Sequence, residues 1–245
     1  MDPLRTSDVL QDPARILDWD GLVNARDLGG LPAGAGAAIR PGALVRSAGP
    51  DHLTEAGWRS VAEHGIRTVI DLRNDDEVEQ PLAARPAGTS LVRVPVDQFL
   101  APGWYNTVSD LDGTPRIFRA YLRDGAKAMA EFVAAVAGAA PGGILVHCEL
   151  GRDRTGLAVM VLLRLAGVEP EAIAADYELS YQNSGPHGTS LHQDDLDEIR
   201  ESLTEAGLTA REAMLAVLAD FDPEAYFAAA GVGAEVVNAA RARLV

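Results

Sequence analysis

Cys148, Gly151, Arg154, Thr155 and Gly156 lie close together in the stretch Ile144-Leu145-Val146-His147-Cys148-Glu149-Leu150-Gly151-Arg152-Asp153-Arg154-Thr155-Gly156. A thiolate is a strong nucleophile, and a guanidinium is a planar two-pronged donor that matches phosphate oxygens. Glycine lets a loop turn tightly between them. Read alone, a cysteine after an apolar run is a small core residue and the histidine beside it a satisfied structural one. The combination at this spacing reverses that reading. It describes an anion cradle with a nucleophile on its floor, which is the chemistry of attack on phosphorus.

The flanking pattern supplies the elements such a cradle needs. Ile144 to His147 reads as a buried strand, and Leu157, Val159, Met160, Val161, Leu162, Leu163 and Leu165 read as a helix without a breaker before Gly167. A helix that starts just after the loop offers unpaired N–H groups and the positive end of its dipole to an anion. The backbone from Glu149 through Leu150, Gly151, Arg152 and Asp153 to Arg154 is therefore the candidate phosphate-binding segment. Cys148 at its floor is favoured as thiolate, because helix N-termini and nearby cations stabilise that anion.

These residues resemble the His-Cys-x5-Arg-Thr-Gly signature of the protein tyrosine phosphatase superfamily. The resemblance implies Cys148 as nucleophile, Arg154 as the clamp on the transferring phosphoryl group and a cysteinyl-phosphate intermediate. It implies that His147 orders the loop from below, that Thr155 donates to the Cys148 sulfur, and that no metal or cofactor takes part. Asn24-Ala25-Arg26-Asp27-Leu28-Gly29-Gly30, Arg46-Ser47 and the segment around Tyr177 are similar to one bacterial branch of the superfamily, which includes the mycobacterial secreted type. Arg152 departs from that branch, where lysine is common, and so does Glu149, where small, polar or apolar residues are more frequent. A carboxylate there should disfavour highly charged inositol phosphates relative to phosphotyrosine peptides.

An alkoxide or phenolate leaves poorly, so the chemistry asks for an acid. The superfamily places an aspartate on the loop after the strand Leu91 to Asp97, and by chain order Asp97 matches it. Asp153 is its main rival, because that branch carries an aspartate within the loop; Asp110 and Asp112 are further candidates.

Taken in order, residues 22–30 read as a strand entering a turn, and Ala43 to Ala48 as a second strand. Thr54 caps a helix to about His64 with Trp58, Val61 and Ala62 inward. Ile66 to Arg73 is a strand, followed by the acidic run Asp75, Asp76, Glu77 and Glu79, read as a solvated first helical turn with Arg73 paired to Asp71 or Asp75. A long helix opens at Thr114-Pro115 and ends at Pro141. Beyond Gly167 the pattern is helical, at about 170–181, 194–205, 208–220, 223–230 and 233–243. Residues 182–193 form a polar loop and candidate lid, with His187 and His192 as exposed histidines and not metal ligands. The expected fold is α/β, a central mostly parallel sheet flanked by helices with a helical C-terminal portion over about 168–245. Length and the lack of a linker predict a single phosphatase domain over 1–245.

Net charge is −15, which disfavours nucleic acid and anionic membranes as partners, so phosphate affinity must be local. One cysteine excludes an internal disulfide and a resolving thiol. Residues 1–20 lack the apolar core of a signal peptide and no stretch has the roughly 20 apolar residues of a membrane span. The expected location is cytoplasmic, with non-classical secretion left open. The expected substrate is a phosphoprotein or phosphopeptide carrying phosphotyrosine, with phosphoserine and phosphothreonine as further candidates. Two alternatives stand beside it: a phosphoinositide phosphatase of the same chemistry, and a phosphate-binding module without catalysis.

Overall fold

The computed structural model describes residues 9, 12–78, 85–182 and 193–245. Its sheet has the order β1-β2-β5-β3-β4, from β1 (Arg26–Asp27), β2 (Leu44–Ser47), β3 (Ile66–Asp71), β4 (Ser90–Arg93) and β5 (Gly143–His147). Only β1 runs antiparallel, so β2, β3, β4 and β5 all end at one edge. Every residue of the central strand β5 is buried, as a parallel strand covered on both faces should be. The period of two divides it. Leu145 packs with Trp19, Trp58, Val61 and Val69 beside α1 (Glu55–Glu63). Ile144 and Val146 face the larger core.

That larger core is built on α2 (Phe118–Asp124), α3 (Ala126–Ala137) and α4 (Asp153–Leu165). All residues of α4 from Thr155 to Leu163 are buried, which explains an apolar helix with no polar face. The rest is helical: α5 (Pro170–Gln182), α6 (Gln193–Glu205), α7 (Ala210–Ala219), α8 (Pro223–Ala229) and α9 (Ala234–Ala242). The α/β architecture with a helical C-terminal portion is thus as the pattern predicts. Among the described residues no helix is long and apolar enough to cross a membrane.

Three elements differ from the sequence expectation. The strand over 22–30 shrinks to Arg26–Asp27, because Asn24 adopts φ 55° and leaves the extended region. The strand expected to reach Asp97 ends at Arg93, ahead of Pro95, which has no N–H to donate to a ladder. The long helix from Pro115 is split into a 3₁₀ turn at Pro115–Ile117, α2 and α3. The break falls at Gly125, the poorest helix former in the run after proline, whose amide bonds the Tyr121 carbonyl at 2.7 Å. Glu79, His187, His192 and residues 183–192 of the lid expected over 182–193 lie outside the described residues, as do residues 1–8, 10 and 11.

Candidate active site

In an open parallel sheet, ligands sit at the carboxyl ends of the strands, where connections diverge to the two faces. Here Ser47, Asp71 and His147 end β2, β3 and β5 at that edge, and the loop from Cys148 to Arg152 leaves β5 there and enters α4. No side chain caps α4 at Arg152, so its first amides are not claimed by a side chain.

The loop's carbonyls are claimed one after another. His147 Nδ1 lies 3.1 Å from the Cys148 oxygen, and the Gly49 amide donates to the Glu149 oxygen at 2.8 Å. Asn24 Nδ2 donates to Leu150 (3.1 Å) and Gly151 (3.2 Å), and Arg46 Nη2 also donates to Gly151 at 2.9 Å. The Arg152 oxygen accepts from Gly156 N at 2.7 Å. In a planar trans peptide the N–H points opposite to the preceding C=O. Turning these carbonyls outward therefore directs the amides of Glu149, Leu150, Gly151, Arg152 and Asp153 to the concave side. Gly151 makes the bend at φ 68°, and a Cβ there would stand 2.3 Å from the Ser47 oxygen, so no other residue fits.

Behind the loop is a buried charge cluster. Asp176 on α5 accepts from Arg15 (3.2 Å), Arg26 (2.9 Å) and Arg46 (2.8 Å), and both Arg26 and Arg46 reach Ser180 Oγ. Arg26 also holds Asn24 Oδ1 at 2.6 Å, which orients the amide that braces the loop. Three guanidinium groups against one carboxylate leave an excess of positive charge behind the loop from Cys148 to Arg152. Burial, followed by the like charge of Arg26, lowers Arg46 to about 10. Burial opposes ionisation of Asp176, yet Arg26, Arg46 and Arg15 outweigh it and hold the carboxyl far below its usual range. The sign follows: this depressed carboxyl stabilises the fold above about pH 4, its unfolded range, and the contribution is lost on further acidification. Removing one partner of a buried ionic cluster costs about 3–5 kcal/mol. Asp176→Ala should show that loss in the midpoint of urea unfolding at pH 7, and an unchanged midpoint would contradict this account of the cluster.

His147 is fully buried, and burial outweighs the attraction of Asp71 to lower its pKa, so the ring is neutral and positions the Cys148 carbonyl. Asp71 in turn is held below its usual range, where burial is outweighed by the guanidinium and amide of Arg73. Arg73 is buried and bonds Asp71, but also Asp51 at 2.6 Å and Glu149 at 3.3 Å. Asp75 goes to Arg93 instead. Cys148 itself is 3% exposed, and Thr155 Oγ1 is buried without a hydrogen-bond partner, so the donation to sulfur expected of it is not among its contacts.

At the mouth, Arg154 faces Glu77 through Nη1 at 2.5 Å and Nη2 at 2.6 Å, and its Nη1 lies 3.3 Å from Asp97 Oδ2. Burial disfavours the Arg154 charge, but Glu77 and then the charge of Cys148 raise its pKa. Glu77 stays below its usual range, burial being outweighed by Arg154. Asp97 is also held by Asn74 Nδ2 (3.1 Å, to Oδ2) and Tyr121 OH (3.0 Å, to Oδ1). Asp153 lies on the other flank: Arg152 Nε is 3.1 Å from both its oxygens, Arg152 Nη2 is at 2.8 Å, and Tyr177 OH at 3.1 Å. Arg152 is buried over the ring of Tyr181, 5.6 Å from its centroid. Asp110 and Asp112 are exposed on the turn before Thr114.

The structure thus brings Arg154 and Asp97 together at the start of the helix that the Cys148 loop enters, and sets Asp153 on Arg152. Glu77 corrects the sequence reading of its acidic run as a solvated helical turn: Asp75–Glu77 is a 3₁₀ turn, and its last member meets Arg154. Nothing in the run marked which acid would turn inward. Asn24, Arg46 and Asp176 were visible only as motif residues or helix residues without a role.

The family model for the tyrosine phosphatase family matches residues 17–245. A protein named as a tyrosine-protein phosphatase in Cupriavidus necator is 30% identical over 184 residues, which cover 71% of this chain and 67% of that protein. A tyrosine-protein phosphatase of Nostoc commune is 30% identical over 152 residues, 61% of this chain but only 52% of the relative. The triple specificity protein phosphatase PtpB of Mycobacterium tuberculosis is 29% identical over 193 residues, 66% of this chain and 68% of PtpB.

Proposed function

The chain belongs to the tyrosine phosphatase family, and from that premise we propose that it hydrolyses phosphotyrosine in proteins through a cysteinyl-phosphate intermediate. One observation carries the reading. Each carbonyl from Cys148 to Gly151 is claimed by a donor outside the loop, and that of Arg152 by the Gly156 amide of α4, an arrangement that supports amides turned onto the space above Cys148. That is a preorganised oxyanion site, the largest single contributor to catalysis of this kind.

In the first step the Cys148 thiolate attacks phosphorus in line while Arg154 and the amides of 149–154 hold the equatorial oxygens. As the bond to the leaving oxygen breaks, Asp97 gives it a proton. Water then attacks the cysteinyl phosphate, Asp97 takes a proton from it, and the sulfur leaves as thiolate. His147 fixes the Cys148 carbonyl. We assign residues 1–245 to one phosphatase domain, and the chemistry asks for no metal.

The burial of Cys148 supports phosphotyrosine over shorter phosphoesters. It is 3% exposed, and an aryl phosphate reaches further in than a seryl one. Glu149, half exposed and paired with Arg73, sets negative charge at the same rim against polyanionic inositol lipids. The test is release of phosphate from a panel of phosphotyrosine, phosphoserine and phosphothreonine peptides and inositol lipids. Phosphotyrosine peptides should give the highest kcat/KM. A higher value on an inositol lipid would transfer the assignment to lipid substrates, and tight phosphopeptide binding without turnover would reduce the chain to a binding module.

A further inference from the structure

Tyr121 is a buried phenol on α2, and a buried hydroxyl needs partners. It has two: its OH donates to Asp97 Oδ1 at 3.0 Å and meets the OH of Tyr105. Tyr105 is 42% exposed, yet its hydroxyl turns in to Tyr121. Trp104 packs against both rings, tilted on Tyr121 with centroids 4.7 Å apart and edge-to-face on Tyr105 at 5.2 Å, and its Nε1 is fixed on Asp124 at 2.7 Å. The three rings form a rigid wall that ends on one oxygen of one carboxyl group.

Each phenol has a single proton. With Tyr121 donating to Oδ1, Tyr105 donates to Tyr121, and Oδ1 acts only as an acceptor. The transferable proton of Asp97 is left on Oδ2, the oxygen that faces Arg154 Nη1 at 3.3 Å and Asn74 Nδ2 at 3.1 Å. Burial, followed for Tyr121 by the charge of Asp97, raises both phenols, so neither gives up its proton in the working range. The groups facing Asp97 are therefore Arg154 on α4, Asn74 after β3, Tyr121 on α2 and Tyr105, with Glu77 behind Arg154.

We propose that Tyr121, backed by Tyr105, is the positioning residue that ties Asp97 by Oδ1 and keeps Oδ2 as the oxygen that protonates the leaving group. The proposal rests on Asp97 being the acid. As the phosphorus–oxygen bond breaks, its electrons pass to the leaving oxygen, which takes the Oδ2 proton; the attacking water later returns a proton to Oδ2. Tyr121 and Tyr105 touch neither substrate nor reacting atoms and undergo no net change.

Loss of acid assistance hurts a poor leaving group more than a good one. The measurement is kcat/KM across pH on phenyl phosphate and p-nitrophenyl phosphate for wild type, Tyr121→Phe, Tyr105→Phe and Asp97→Asn, with unfolding midpoints alongside. Tyr121→Phe should lose about tenfold more on phenyl phosphate than on p-nitrophenyl phosphate, and Tyr105→Phe should show the same bias more weakly. An equal loss on both substrates, or none, would overturn the role of Tyr121 while leaving Asp97 as acid if Asp97→Asn shows the bias. If Asp97→Asn shows no bias either, the acid assignment falls and this proposal with it.

Discussion

Cys148→Ser should reduce turnover of any aryl phosphate by about 10⁴-fold or more, equivalent to at least roughly 5.5 kcal/mol of transition-state stabilisation. The reason is that, among the described residues, no side chain that could act as a base is hydrogen-bonded to this sulfur. A serine hydroxyl is a competent nucleophile only when a neighbouring group takes its proton. The adjacent His147 is neutral, but its Nδ1 is committed to the Cys148 carbonyl at 3.1 Å, and the ring is fully buried. Asp97 and Glu77 are bound to Arg154 at the mouth, not to the floor. The site is built to stabilise an anion already formed, through amides, a guanidinium and the cationic cluster on Asp176. The same variant should still bind phosphotyrosine peptide, since Arg154 and the loop amides are untouched, and calorimetric titration can check it. Turnover retained at wild-type rates would end the assignment of Cys148 as nucleophile.

The contrast between what the chain displays locally and what it hides is instructive here. Cys148 to Gly156 is contiguous, so strand, turn, nucleophile and clamp appear in one line of sequence, and the turn glycine is needed there for a backbone reason. The parallel strands and the C-terminal helices were equally legible, because apolar periodicity is a local property. The bracing of the loop was not. Arg46 reaches Gly151 across 105 residues, and Asn24 reaches Leu150 across 126. Neither partner can be inferred from its own neighbours. Glu77 was hidden for another reason: composition reports a charge but not its partner, and only the turn at Asn74 decides that Glu77, not Asp75 or Asp76, faces Arg154. Tyr121 looked like one more position in an apolar stripe, and the helix break at Gly125 was masked by good helix formers on both sides.

Asp97→Asn should lower kcat/KM on phenyl phosphate by about 10²–10³-fold and flatten the pH profile between acid and neutral, the range expected for loss of a general acid. Asp153→Asn should cost far less and equally for good and poor leaving groups. Both carboxylates are well supplied with donors, so hydrogen-bond count alone does not separate them. Position does. Asp153 has both oxygens on Arg152 and one also on Tyr177, partners that no step of the reaction engages. A proton on either oxygen displaces a donor that stays in place throughout. Asp97 Oδ2 shares its donor with the chemistry: Arg154 Nη1, at 3.3 Å, belongs to the guanidinium that must turn to the phosphoryl group. When Arg154 serves the equatorial oxygens it withdraws a competitor from Oδ2 just as a leaving oxygen arrives there. Asn74 Nδ2 stays on Oδ2 at 3.1 Å, but a protonated oxygen keeps a lone pair for one donor, so of the two carboxyl groups Asp97 is the one that loses a competing donor in step with catalysis. A flattened profile from Asp153→Asn with a normal one from Asp97→Asn would reverse the assignment and give Arg152 the part here ascribed to Arg154.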